Sequence, residues 1–193
     1  MMHGLSPVLI NVHAVIPASR VNGPGCRTVV FFQGCQRRCP GCFNPDTHSM
    51  ETRELYAPEE VFVRHLRPGV EGITVSGGEP FLQPVALGEL LKIARNNYSL
   101  STVVYTGYTY DEICAIPECT SALQYVDVLI DCAYIEAMTE PTLLARGSTN
   151  QNFFFLNDRY SVVDFYMPGK AEIVIGADGL VTGTGFSRLM RPQ

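Results

Sequence analysis

The sequence lacks the features of membrane-spanning, secreted and nucleic-acid-binding proteins. No apolar run is long enough to cross a bilayer, and residues 1–7 carry neither the basic nor the apolar segment of a signal peptide. No stretch is densely basic, and the formal net charge of −5 argues against a nucleic-acid surface. We therefore expect a cytoplasmic protein with no membrane or nucleic-acid partner.

Repeats, low-complexity tracts and long linkers are also absent. The 46% hydrophobic and 17% charged composition is that of a globular protein, and 193 residues are enough for one domain with a substantial core. We expect residues 1–193 to form a single domain, with its core at about 22–151 and a strand-rich extension at about 152–193.

Short apolar runs alternate with helical patterns along the core, which predicts an α/β fold with a parallel sheet and right-handed crossovers. The predicted strands lie at 27–33, 72–76, 102–105 and 126–130, and the predicted helices at 58–66, at 85–94 and after the capping box of Thr109 and Glu112. Further strands are predicted at 161–166, 171–175 and 180–184, with a hairpin turn at Asp178-Gly179.

Chemically distinctive segments follow each core strand of the predicted sheet. They are the cysteine loop after the first strand, Gly77-Gly78-Glu79 after the second, Thr106-Gly107 after the third and Asp131 after the fourth. Because ligands of parallel α/β sheets gather at the carboxyl ends of the strands, these segments indicate one shared site.

Three of the seven cysteines, Cys35, Cys39 and Cys42, are crowded into eight residues. Without a signal peptide, a disulfide framework is not expected, and clustered thiols indicate metal binding or redox chemistry. Structural zinc needs four protein ligands, usually in two separated pairs. No second CxxC pair is present, so zinc would need Cys26 or His48 as its fourth ligand.

A thioredoxin-like interpretation of Cys39-Pro40-Gly41-Cys42 is a further alternative, but it leaves Cys35 unexplained. Thiolates are natural ligands of iron–sulfur clusters. Three of them would ligate three irons of a four-iron cluster, and the fourth iron would stay open. An open metal position is typical of catalytic rather than structural sites.

The Cys35, Cys39 and Cys42 spacing, together with Gly77-Gly78-Glu79-Pro80 some 35 residues later, resembles the radical S-adenosylmethionine superfamily. The resemblance implies a [4Fe-4S] cluster whose open iron is chelated by S-adenosylmethionine. An electron from such a cluster cleaves the sulfonium to methionine and a 5′-deoxyadenosyl radical, so the radical chemistry belongs to the cofactor.

Further stretches at 22–27, 32–35, 39–45, 105–109, 128–131 and 146–151 resemble the family of activating proteins of anaerobic ribonucleoside-triphosphate reductase. The resemblance implies an incomplete, laterally open (β/α) barrel and abstraction of hydrogen from a glycine of a large glycyl-radical enzyme. An electron donor such as flavodoxin or ferredoxin is also implied.

The sequence departs from the family at Cys132, where glycine is expected, and at 11–20 and 182–186. These departures leave the substrate open, so a radical enzyme acting on a peptide or small metabolite is the first alternative. An iron–sulfur electron carrier or redox sensor is the second.

The resemblance also implies the site residues. Cys35, Cys39 and Cys42 would be the metal ligands, and no side chain beyond them is expected to be catalytic. Cofactor contacts are implied for Gly41, Phe43, Gly77, Gly78, Glu79, Thr106 and Asp131. Glu79 would accept a hydrogen bond from the cofactor ammonium, and helix capping is the alternative for Asp131.

Other residues carry weaker expectations. Arg146, Asn150 and Gln151 would reach the cofactor carboxylate or the partner, or would be solvated. Cys114, Cys119 and Cys132 are expected to be buried small hydrophobic residues, and the role of Cys26 is left open.

Overall fold

The computed structural model describes residues 8–175, 179 and 181–186, and these residues form an α/β fold. Seven of its strands lie in one sheet, in the order β3-β1-β2-β4-β5-β6-β7, and two more form a separate hairpin. The strands of the sheet are β1 (Ile10–Ser19), β2 (Arg27–Phe32), β3 (Glu54–Tyr56), β4 (Gly72–Gly77), β5 (Ser101–Tyr105), β6 (Val128–Ile130) and β7 (Phe153–Phe155).

The four central strands β2, β4, β5 and β6 are parallel, which confirms the parallel sheet predicted from the sequence. Phe32 pairs with Gly77, and Tyr105 pairs with Ile130. Every residue of β5 is buried, as expected for a strand covered on both faces. The carboxyl ends of these strands therefore meet at one edge of the sheet.

The outer strands are antiparallel. β1 pairs with β2 on one side and with β3 on the other, and β7 pairs with β6 at the opposite edge. The pairing of β1 shifts register between Ile16 and Ser19. The shift spans Pro17, which has no N–H to donate to a neighbouring strand.

Four helices are described, and they are α1 (Pro58–His65), α2 (Pro84–Tyr98), α3 (Tyr110–Cys114) and α4 (Pro117–Leu123). α2 packs its buried leucines against β4 and β5. The predicted capping box begins α3, where Thr109 Oγ1 accepts from Glu112 N at 3.2 Å and the Glu112 carboxylate accepts from Thr109 N at 2.7 Å. No helix in this part of the chain has the length and apolar character needed to span a membrane.

Two antiparallel strands, β8 (Ala171–Ile175) and β9 (Val181–Gly185), form the C-terminal hairpin. Side chains of opposed residues in such a ladder share a face. Glu172 and Thr184 lie opposite each other on the face toward the body of the protein, where Arg20 N donates to Glu172 at 3.0 Å. Asp178 of the predicted turn lies outside the described residues.

The strand predicted at 161–166 is wrong, because this stretch contains a 3-10 helix at Val162–Phe165. Ser161 N donates to Asp164 Oδ2 at 2.8 Å, and this capping contact closes a helical turn. Phe165 is fully buried, whereas Val162 and Val163 are exposed, so the residues do not alternate as they would in a strand.

Candidate functional site

The motif Gly77-Gly78-Glu79 lies directly against the start of the cysteine loop. Gly78 N donates to Phe32 O, and Glu79 N donates to Gly34 O, both at 2.8 Å. Gly77 has a φ of +100°, and a Cβ there would overlap the backbone of Phe31 and Phe32. The two glycines thus allow two backbone segments to run side by side, which fixes the position of Glu79 relative to the cysteines.

A cavity opens beside this contact, with about 150 Å³ of space for water-sized molecules. It is lined by all three cysteines of the predicted cluster, Cys35, Cys39 and Cys42. Its other lining groups from the predicted site are Phe43, Gly77, Gly78, Glu79, Thr106 and Gly107. The sequence prediction that these strand-end segments share one site is consistent with this cavity.

We call the part of the lining formed by Cys35, residues 77–79 and residues 106–107 the strand-end wall. The lining also includes a part of the C-terminal hairpin, which we call the hairpin wall and which consists of Gly183, Thr184, Gly185 and Phe186. The Phe186 ring lies 6.1 Å from the Phe43 ring and 5.7 Å from the Tyr105 ring, measured between centroids.

None of the three cysteines forms a disulfide, and Cys35 is the most buried of them. Burial raises the pKa of the Cys35 thiol, although N–H groups of Arg37 and Arg38 oppose the shift. Cys42 Sγ accepts a hydrogen bond from Asn44 N at 3.4 Å. Among the described residues, no group of three or more His, Cys, Asp or Glu side chains is arranged around a single metal-ion position, so no preformed zinc site involving Cys26 or His48 is seen.

Glu79 is 1% exposed and stands at the centre of the strand-end wall. Its carboxylate accepts from Gly107 N at 2.7 Å, from Thr106 Oγ1 at 2.8 Å and from Phe81 N at 3.1 Å. Burial raises the pKa of this carboxyl group above its usual value, and the three donors and the positive charge of Arg37 offset only part of that rise. The geometry therefore presents a fixed carboxylate to any cationic group that enters the cavity.

Comparison with known proteins adds independent evidence. The family described as 4Fe-4S single cluster domain matches residues 21–154. The anaerobic ribonucleoside-triphosphate reductase-activating protein of Escherichia coli (strain K12) is 32% identical over 151 residues, which cover 74% of this chain and 96% of that protein. The chain belongs to this activating-protein family, within the radical S-adenosylmethionine superfamily.

Two other relatives agree with this assignment. The protein of the same name from Enterobacteria phage T4 is 32% identical over 156 residues, covering 77% of this chain and 96% of the phage protein. The pyruvate formate-lyase-activating enzyme of Clostridium pasteurianum is 36% identical over 136 residues, covering 67% of this chain and 55% of that enzyme. The activating-protein resemblance read from the sequence motifs is thus confirmed, and the chain is an enzyme.

Two of the residues assigned to the cofactor by resemblance do not line the cavity. Asp131 is buried, and its carboxylate accepts from Tyr110 N at 3.0 Å and from Asn152 Nδ2 at 2.9 Å. It therefore anchors the start of α3, which precedes it in the chain, and the approach to β7, rather than capping a helix that follows it. Gly41 has a φ of +66° and lies against the Glu136 carboxylate.

The Arg146 side chain makes its hydrogen bonds within the protein rather than toward the cavity. Its Nε donates to Glu140 at 2.7 Å, and its Nη1 donates to Gln151 O at 2.7 Å. Gln151 does line the cavity, but its Oε1 accepts from Gly147 N at 2.8 Å and from Ser148 N at 3.1 Å. These side chains shape the loop beside the site.

The four remaining cysteines differ in position. Cys119 is buried, as predicted, but Cys114 is exposed, because its position at the end of the short helix α3 faces solvent. Cys132 lines the cavity with a φ of +72°, and burial beside Asp131 raises the pKa of its thiol to about 11. Cys26 is half-buried outside the cavity lining.

Sequence reasoning missed several lining residues, among them Asn22, Arg37, Tyr105 and Tyr134. Asn22 and Tyr105 lie in the stretches 22–27 and 105–109 that resemble the family, and Arg37 lies between two of the cluster cysteines, but none of these signals gave the three residues a role. Tyr134 lies in a loop that carries no motif.

Proposed function

We propose that this chain is a radical S-adenosylmethionine enzyme that activates a glycyl-radical enzyme of the anaerobic ribonucleotide reductase type. The observation that carries the proposal is the convergence of Cys35, Cys39, Cys42 and the buried Glu79 on one cavity. The names of the relatives, which are activating proteins for a ribonucleoside-triphosphate reductase and for pyruvate formate-lyase, support a protein substrate.

The donor set of the cavity fits a [4Fe-4S] cluster. Three cysteines that form no disulfide share one lining, and a cluster takes each thiolate on a different iron rather than gathering all of them on one ion. The family match at 21–154 is to a single-cluster domain. We assign Cys35, Cys39 and Cys42 as the ligands, which would leave one iron open.

The cavity also fits S-adenosylmethionine beside the cluster. Glu79 would hold the ammonium group, with Thr106 and Gly107 fixing the carboxylate that receives it. Phe43 would pack against the adenine, and Gly77 and Gly78 keep the wall close to the cysteine loop. When bound, the cluster supplies the electron that cleaves the cofactor to a hydrogen-abstracting radical.

We further propose that residues 1–193 act as one domain and that the sheet serves as an incomplete, laterally open barrel. Such an opening would admit a loop of the partner enzyme. Flavodoxin or ferredoxin is the class of electron donor that we propose.

The test is anaerobic mixing of the reconstituted chain with a reductant, S-adenosylmethionine and a candidate anaerobic ribonucleotide reductase, followed by electron paramagnetic resonance. The proposal predicts a doublet from a glycine α-carbon radical on the partner and one 5′-deoxyadenosine for each radical formed. Cofactor cleavage without a partner radical, with hydrogen taken from a peptide or metabolite instead, would contradict the proposed substrate.

A further inference from the structure

Arg37 lies in the cavity lining, between Cys35 and Cys39 in the sequence. Its Nη2 lies 3.1 Å from the Glu112 carboxylate, and its guanidinium carbon lies 4.3 Å from the centroid of the Tyr108 ring. An ion pair and a cation–π contact thus orient the guanidinium group.

The Nε–H of Arg37 is buried and has no hydrogen-bond acceptor among the described residues. A buried donor without an acceptor costs about 1–3 kcal/mol, and such groups in native proteins call for a specific explanation. By contrast, the fully buried Arg27 uses its Nε on Thr74 at 2.7 Å, and Arg146 uses its Nε on Glu140. Arg37 thus keeps a positioned donor for an acceptor that lies outside the described part of the chain.

Arg37 also stands beside the carboxylate of Glu79. Both side chains lie against Gly107, since Gly107 N donates to Glu79 Oε2 at 2.7 Å and the Arg37 Cδ fills the space that a Cβ on Gly107 would need. The cavity therefore offers a fixed negative charge and a fixed positive charge next to each other. An α-amino acid carries the complementary pair, an ammonium and a carboxylate on one carbon.

We propose that Arg37 binds the carboxylate of an α-amino acid group whose ammonium is bound by Glu79. This inference rests on the proposed function, which makes the methionine end of S-adenosylmethionine the ligand. It replaces the sequence expectation that Arg146 would reach this carboxylate, because the Nε and Nη1 donors of Arg146 are used within the scaffold. Arg37 is thus a positioning residue for the cofactor.

The experiment compares two ligands that differ only in this carboxylate. Binding of S-adenosylmethionine and of decarboxylated S-adenosylmethionine is measured by isothermal titration calorimetry on anaerobic, cluster-loaded protein without reductant, so that no turnover occurs. Arg37→Gln should bind S-adenosylmethionine roughly 10- to 100-fold more weakly than the unmodified protein, since a charge-assisted hydrogen bond is lost. Its affinity for the decarboxylated ligand should change by less than about twofold, because that ligand has no carboxylate to lose.

Arg38→Gln is the matched control. Arg38 is the adjacent residue, carries the same charge and is exposed, so its replacement should leave both affinities unchanged. Iron content and circular dichroism are measured on every variant. If Arg37→Gln fails to retain iron, Arg37→Lys is measured in its place. Lysine keeps the charge but not the planar guanidinium group, so this variant should lose less affinity for S-adenosylmethionine and none for the decarboxylated ligand.

The outcomes separate the two claims. Equal weakening of both ligands, or no weakening of either, would overturn the role of Arg37 while leaving the proposed function intact. Unmodified protein that binds neither ligand would overturn the proposed function, and this inference with it.

Discussion

The strand-end wall of the cavity rests on backbone contacts, whereas the hairpin wall rests on side chains. In the first, Gly78 N donates to Phe32 O at the end of β2, and Glu79 N donates to Gly34 O of the cysteine loop, both at 2.8 Å. In the second, Asn22 Nδ2 donates to Thr184 Oγ1 at 2.9 Å, and Phe186 adds ring contacts. The backbone segments of the first wall run so close together that Gly77 and Gly78 have no room for a Cβ, so this wall tolerates less substitution than the second.

The two walls also differ in what lies behind them. The strand-end wall is backed by the buried strands of the central sheet. The hairpin wall is backed by solvent, since Ile173, Ile175 and Val181 on its outer face are each more than three-fifths exposed. The hairpin also lies beyond the part of the chain that matches the single-cluster family, 21–154.

A substitution in the strand-end wall should have the largest effect on stability and on iron content. Gly77→Ala should lower the free energy of unfolding by about 3 kcal/mol or more, because its Cβ would overlap fixed backbone and its φ is positive. The protein should also lose its iron. Gly69→Ala is the control, since Gly69 has a φ of +82° but no atom near its Cβ position. Denaturant unfolding should show that Gly69→Ala lowers the free energy of unfolding by only about 1–2 kcal/mol. An equal decrease in the two variants would contradict the role of close backbone packing at Gly77.

A substitution at Glu140, in the loop beside the hairpin wall, should have an intermediate effect on stability. Burial alone would raise the pKa of Glu140, but hydrogen bonds from Thr142 and Arg146 hold it below the usual value. The folded protein therefore favours the charged form of Glu140, and this charge adds to the free energy of unfolding. The addition is fully present above the pKa of an ordinary glutamate and is lost as the pH falls through the pKa that Glu140 has in the folded protein. Glu140→Gln should cost about 2 kcal/mol at neutral pH.

The same variant provides the pH test. The difference in unfolding free energy between the unmodified protein and Glu140→Gln should shrink as the solution is acidified below about pH 4.5. A difference that stays constant down to pH 3 would show that the Glu140 charge contributes nothing.

Loosening the hairpin wall itself should have the smallest effect. Thr184→Val removes one hydrogen bond with Asn22 and should cost about 1 kcal/mol. Cluster content should be unchanged, because no cysteine is touched. Ile173→Thr, on the exposed outer face, is the control and should leave stability unaltered. Loss of iron from Thr184→Val would mean that the two walls depend on each other.

The strand-end wall could be predicted from sequence because its signals are local. β-branched runs mark β2, β4 and β5, and each is followed at once by its functional residues, so the parallel arrangement alone brings Cys35, Glu79 and Thr106 together. The capping box at Thr109 and Glu112 could also be predicted from the sequence, because it is a contact between residues that are three positions apart.

Other features could not be predicted because they depend on distant partners. Pro17 and His13 obscure the pattern of β1, which is stabilised by pairing with β2 and β3. The prediction of a strand at 161–166 followed β propensity and missed the turn closed by Asp164. Arg37 could be assigned only once Tyr108, Glu112 and Gly107 were found around it.

The most direct test of the central claim is the spectrum of the reduced, anaerobically reconstituted protein with and without S-adenosylmethionine. A four-iron cluster with one iron open to the cofactor should give about four irons per chain and an electron paramagnetic resonance signal that shifts when S-adenosylmethionine is added. Cys35→Ala should abolish both, whereas Cys114→Ala should keep both, because Cys114 is exposed away from the cavity. A colourless protein holding one tightly bound zinc, or a cluster signal indifferent to S-adenosylmethionine, would contradict it.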